Sequence, residues 1–129
     1  MRKASARVVD GPAEERFADG TLGAKGRMRK GKRHGTWKFY FRSGGLRATG
    51  KYVDGAFDGR WKFWWESGKL GQLGTFRLNR QIGLWKRWYT DGKPMDEGRY
   101  EDGKKVGPWK SWSASGKPAK TKVHGSRKK

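Results

Sequence analysis

The sequence predicts an all-β fold, an elongated single antiparallel β-meander built from tandem 24-residue β-hairpin units. Three observations predict it. Tryptophan and glycine recur every 24 residues, apolar and polar residues alternate inside each period, and turn-forming pairs separate the alternating segments.

Five columns keep the period in register. Trp37, Trp61, Trp85 and Trp109 form one. Gly26, Gly50, Gly74 and Gly98 form a second, Gly35, Gly59, Gly83 and Gly107 a third, and Gly44, Gly68, Gly92 and Gly116 a fourth. Lys38, Lys62, Lys86 and Lys110 follow each Trp directly. Beyond them stand Tyr40, Trp64, Trp88 and Trp112, and a further apolar column holds Met28, Tyr52, Phe76 and Tyr100. The units are 26–49, 50–73, 74–97 and 98–121.

In chain order, residues 1–25 contain a degenerate capping half-unit. Gly11, Phe17, Gly20 and Leu22 fall on repeat columns, but Ala13 replaces the Trp and Arg16 the next aromatic. Arrays need such atypical ends, because an interior unit would leave an apolar edge in water. In a full unit such as GRWKFWWESGKL, the first strand puts Trp61, Phe63 and Trp65 on one face and Lys62, Trp64 and Glu66 on the other. Ser43-Gly44, Ser67-Gly68, Asp91-Gly92 and Ser115-Gly116 then reverse the chain. On the return strand Leu70, Gly74 and Phe76 are expected to share a face, the glycine leaving room for a neighbouring indole to lie on the backbone.

A second reversal falls at Lys30-Gly31, Asp54-Gly55 and Asp102-Gly103, and Asn79 takes the glycine place in the third unit because Asn tolerates left-handed backbone. About eight or nine strands result. The fourth unit keeps Trp109 and Trp112 but carries Ser111, Ser113 and Pro118, so it reads as the C-terminal cap of an array spanning 26–119. Residues 120–129 are basic and without pattern, and disorder is expected there.

Composition limits what such a sheet can do. Lys and Arg number 32 against 12 Asp and Glu, a formal charge of +20, which attracts polyanions and acidic partners. Aliphatic side chains are scarce, so the core must be thin and built mainly from 8 Trp, 6 Phe and 4 Tyr. A single hairpin is marginal in water, so the units must stack to fold. Without cysteine there are neither disulfides nor thiolate metal sites. Residues 1–20 lack the apolar run of a secretory signal, and a soluble, cytoplasmic protein is expected.

The segments HGTWKFYFRSGGL, DGRWKFWWESGKL, IGLWKRWYTDGKP and VGPWKSWSASGKP resemble the variant form of the MORN repeat, the membrane occupation and recognition nexus. In this arrangement they are similar to bacterial proteins of the YwqK-type antitoxin or immunity family. The resemblance covers residues 26–119. It implies a cytoplasmic protein that binds and neutralises a partner protein, a cognate toxin, with no chemistry or cofactor of its own.

Two candidate binding regions emerge. Lys38 with Tyr40, Lys62 with Trp64, Lys86 with Trp88 and Lys110 with Trp112 lie on the face opposite the Trp column, a ladder of charge and ring suited to stacked bases and phosphates or to an acidic, apolar partner. The alternative is that the sheet coils until both aromatic columns are core, with the Lys stems covering ring edges. The second region is basic. Unit one has no acid and offers Arg27, Arg29, Lys30, Lys32, Arg33, Arg42 and Arg47 to phosphates of nucleic acid or anionic lipid, together with the tail, or else this charge only solubilises the surface. His34, expected in a turn, and His124 in the tail have no nucleophile or metal-ligand neighbour at usable spacing, so no catalytic or metal site is expected. The ends of the sheet are open to pairing with further copies, and the oligomeric state stays open.

Overall fold

The structure, a computed structural model, describes residues 9–125. Its strands are β1 (Gly11–Arg16), β2 (Leu22–Arg29), β3 (Lys32–Tyr40), β4 (Leu46–Val53), β5 (Ala56–Trp64), β6 (Leu70–Arg77), β7 (Arg80–Trp88), β8 (Pro94–Glu101), β9 (Lys104–Ser111) and β10 (Lys122–His124). They pair antiparallel, each with its sequence neighbour, in one ten-stranded open sheet.

Turn chemistry alternates with the strands. The even-to-odd reversals are two-residue turns with positive φ at both positions: Lys30 and Gly31 (50° and 77°), Asp54 and Gly55 (47° and 86°), Leu78 and Asn79 (44° and 75°), Asp102 and Gly103 (51° and 83°). That is the primed turn whose twist matches the flanking strands. The odd-to-even reversals are wider. Gly44 N donates to Phe41 O at 2.8 Å and Phe41 N to Gly45 O at 2.8 Å, and the same pair of bonds closes Phe17–Thr21, Trp65–Lys69, Tyr89–Lys93 and Ser113–Lys117. The N-terminal half-unit therefore keeps the turn of a full unit although it has lost the Trp.

The Trp and Gly columns form one device. Between the pairs Lys25↔Lys38 and Arg27↔His34, Gly26 faces three residues, Gly35, Thr36 and Trp37. Gly35 enters the left-handed region (φ 75°) to absorb the excess length. The Trp37 indole folds back over Gly26, where a Cβ would collide with the ring, and its Nε1 donates to Arg27 O at 2.9 Å. The same arrangement recurs with Trp61 on Gly50, Trp85 on Gly74 and Trp109 on Gly98. There the indole N–H groups reach Lys51 O, Thr75 O and Arg99 O at 3.0, 3.1 and 3.1 Å. Exposure of the four rings is only 0, 1, 2 and 6%. Each Trp thus lies on the first glycine of its own unit, buried in a single-layer sheet that has no second layer to cover it.

Around the indoles, the column four residues earlier forms a lid. Phe57 stands edge-on to Trp61 at 4.8 Å between centroids, the Arg33 guanidinium lies 5.0 Å from the Trp37 ring centre, and Lys105 Nζ lies 4.5 Å from that of Trp109. Tyr52, Phe76 and Tyr100 meet successive Trp rings edge to face. This face is apolar in the first half of the sheet, where Ala24, Phe39, Ala48 and Phe63 stand opposite one another in turn. Its equivalent in the second half is polar: Gln72, Arg87, Asp96 and Ser111. There Arg87 and Asp96 form a bidentate pair at 2.7 and 3.0 Å.

Three expectations need correction. Leu70 does not share the face of Gly74 and Phe76: the register slips between Phe63↔Gln72 and Trp64↔Leu70, and the extra residue, Gly71, moves Leu70 onto the row of Trp64. Gly71 meets the Trp65 ring instead, a Cβ there standing 3.0 Å from Nε1. His34 is a strand residue of β3, and its Nδ1 lies 3.4 Å from Asp54 N, the place that Asp10 and Asp58 carboxylates occupy for Lys30 N and Leu78 N. Finally, residues 120–129 are not patternless throughout. Lys122–His124 pairs with β9, and His124 meets the Trp109 ring edge to face at 6.2 Å. β10 is a truncated fifth return strand, with His124 in the column of Tyr52, Phe76 and Tyr100. Its glycine column holds Lys122, and among the described residues no Trp lies on it. Residues 126–129 fall outside the described residues.

Candidate binding face

Strand alternation puts the residue after each buried Trp on the opposite face, and register then aligns those residues across the sheet. A single row runs Glu14, Lys25, Lys38, Thr49, Lys62, Leu73, Lys86, Glu97, Lys110, each residue opposite the next. All four predicted lysines therefore lie in one line, two strands or about 10 Å apart. Lys38, Lys62 and Lys110 are exposed and Lys86 is half-buried. Lys25 belongs to the same row and was not legible as a repeat residue, because its column is filled by Thr49, Leu73 and Glu97 in the later units. Only the pairing of β2 with β3 brings it beside Lys38.

Nearer the wide turns a second row holds Tyr40, Trp64, Trp88 and Trp112, which pair with Leu46, Leu70, Pro94 and Pro118. All four rings are half-buried, between the open ladder and the full core that the sequence allowed. The carbonyls of the last two are tied to the preceding unit: Trp65 Nε1 donates to Trp88 O at 3.1 Å, and the Tyr89 hydroxyl to Trp112 O at 2.6 Å. A recess of about 210 Å³ touches Trp64 and Trp88 as well, but Phe63, Gln72 and Arg87, which line it, belong to the row of the tryptophan face.

The basic residues of unit one divide between the faces. Arg27, Arg29 and Lys32 stand with Lys25 and Lys38 on the lysine face, Arg29 directly opposite Lys32, and Lys30 occupies the adjoining turn. Lys25, Arg27, Lys38 and Glu14 surround a shallow recess of about 330 Å³ over Gly26 and Thr36. Arg33 is separated from them. It covers Trp37, Phe39 and Tyr52 on the tryptophan face and is bonded to Glu15 at 2.7 Å. Burial works against the Arg33 charge, but the Glu15 carboxylate outweighs it and holds the guanidinium more firmly protonated than usual. On the same face burial pushes the Tyr52 hydroxyl up, against the pull of Arg33. Arg42, on the rim, lies 5.2 Å from the Phe17 ring centre and 3.5 Å from Asp19.

An open, ungrooved sheet with one face sealed by its own tryptophans and the other lined with lysine and half-open rings defines a repeat scaffold that works by presenting a surface. The profile of the MORN repeat variant matches residues 33–54, 57–77 and 81–104, more than half of the chain, and the chain belongs to that family. MORN repeats are generally binding modules for membranes or proteins. The half-unit at β1 lies outside the matched segments, and so does the fourth unit from Lys105 onward, with Trp109 and its serines. A search of curated proteins returns no match.

Proposed function

We propose that this chain is a non-catalytic binding module of the antitoxin or immunity type, which docks an acidic partner protein on the face bearing Lys25, Lys38, Lys62, Lys86 and Lys110. One observation carries the reading: the lysine row and the half-buried row Tyr40, Trp64, Trp88 and Trp112 share that face, so charge and apolar area are offered side by side. Half-buried aromatic rings such as Trp64 and Trp88 supply the kind of anchor that dominates protein interfaces. The antitoxin class rests on the resemblance of the repeat sequences. The candidate acid–base groups have structural employment, Asp10 and Asp58 as acceptors for turn N–H groups and Asp96 in its pair with Arg87.

The test is capture of a partner from cell extract on the immobilised chain, repeated with Trp64→Ala/Trp88→Ala and with Lys62→Glu/Lys86→Glu. Loss of one captured protein in both variants, with the far-UV spectrum and melting unchanged, is the expected result. Capture that ignores both variants refutes this face. A second reading, a binder of nucleic acid or anionic lipid, is favoured by Lys25, Arg27 and Lys38 around the 330 Å³ recess, continued along the same face by Arg29 and Lys32. It predicts affinity for oligonucleotides or anionic vesicles that falls steeply with salt, the log–log slope for duplex DNA gaining about 0.9 per neutralised phosphate.

A further inference from the structure

The two ends of the sheet fit each other, and we infer that copies of this chain join head to tail, β10 of one pairing with β1 of the next. Among the described residues, β1 and β10 each have a partner on one side only, so each presents a row of unpaired backbone groups, the usual template for strand addition. β1 has the place of an odd strand and β10 that of an even one. An even strand followed by an odd one is the step the array already makes between β2 and β3.

Carrying the β2–β3 register across the junction fixes the contacts. The pair Ala24↔Phe39 becomes Lys120 opposite Glu15, and Met28↔Arg33 becomes His124 opposite Val9. Where Trp37 lies on Gly26, Ala13 would lie on Lys122. That exchange is complementary: a Cβ on Gly26, Gly50, Gly74 or Gly98 would collide with the indole above it, so a strand end bearing Lys122 accepts a neighbour only if the Trp position is small. The one strand with a small residue there is β1.

Charge and apolar exposure agree. Residues 10–19 hold Asp10, Glu14, Glu15 and Asp19 against Arg16, whereas residues 104–124 hold six lysines and no acid. Glu14 and Glu15 bond Arg16 and Arg33 within the chain, yet their side chains remain 53 and 51% exposed. Val9, 51% exposed, would be covered by His124 across the junction. Pro12 does not obstruct it, because Pro108 holds the same column in β9 and is accommodated between β8 and β10. A head-to-tail contact that does not close yields an open filament, here advancing about 48 Å per ten-stranded copy.

Sedimentation velocity of the full chain from micromolar to millimolar concentration tests the inference. The expected result is a mass that rises with concentration without levelling at a dimer. A chain that stays monomeric throughout, or stops at a dimer, overturns the inference. Ala13→Trp is expected to abolish the association, since the indole would meet Lys122, while Ala13→Trp/Lys122→Gly rebuilds the interior contact and restores it. Association of Ala13→Trp equal to that of the unmodified chain overturns the inference. Should Ala13→Trp fail to fold, Lys120→Glu, which sets like charge against Glu15 from an exposed position, decides the matter: it is expected to weaken association at low salt, and no change overturns the inference.

Discussion

A glycine in this chain is required or free according to what lies above it. Gly74 sits beneath Trp85, with the indole N–H bonded to Thr75 O at 3.1 Å, so the ring cannot retreat without giving up both burial and hydrogen bond. Gly74→Ala is expected to destabilise by about 2–3 kcal/mol through overpacking. Gly45→Ala, where nothing lies within 4 Å, is expected to change stability by less than about 0.5 kcal/mol. Urea midpoints of the two variants provide the comparison. Leu78 is the opposite kind of misfit. It stands at φ 44°, 56% exposed, where the other units place Lys30, Asp54 and Asp102. A branched apolar side chain gains nothing in that left-handed position, and Leu78→Asp is expected to stabilise by about 0.5–1 kcal/mol, read as a higher melting temperature.

At the scale of the element, the hairpin and its 24-residue spacing were legible because the turn pairs and the Trp–Gly columns are chemically demanding and recur. Register was not. The placing of Leu70 depends on Gly71 being squeezed into the return strand against Trp65, and alternation counted along one strand cannot reveal a residue inserted opposite its neighbour. β10 escaped notice because its marker, His124, is weakly apolar and its glycine is gone; the signal that finds it is Tyr100 carried forward by one period. Lys25 illustrates the same limit for the binding face, since a cross-strand neighbour leaves no mark in the periodicity. The tryptophan face also carries a pH signature. Burial raises the Tyr52 pKa above its ordinary 10.0, so the folded chain keeps a proton that the unfolded chain releases. Its contribution is complete below pH 10.0 and is lost as pH rises through the folded-state value. Denaturant titrations between neutral and strongly alkaline pH are expected to show stability falling above that point, and the fall is expected to be smaller in Tyr52→Phe.

For the whole molecule, the repeat makes length a variable that can be changed without touching any contact type. Removing residues 74–97 joins Leu73 to Gly98, which keeps the phase: Trp61 would pair with Gly98 as it now does with Gly74, and Trp109 would still lie on Gly98. In an array held by nearest-neighbour interfaces, the shortened chain is expected to fold, with lower stability and a denaturant slope reduced in proportion to the surface removed. Its binding then separates the two readings of the lysine face. The deletion removes Lys86 and Trp88 from that face, but leaves Lys25, Arg27, Lys32 and Lys38 in place. A partner protein anchored on the paired rings of Trp64 and Trp88 is expected to be lost. A polyanion gripped by unit one is expected to bind almost as before. Duplex DNA spread along the whole row is expected to bind with a log–log salt slope shallower by about 0.9, the share of the one lysine removed from that row.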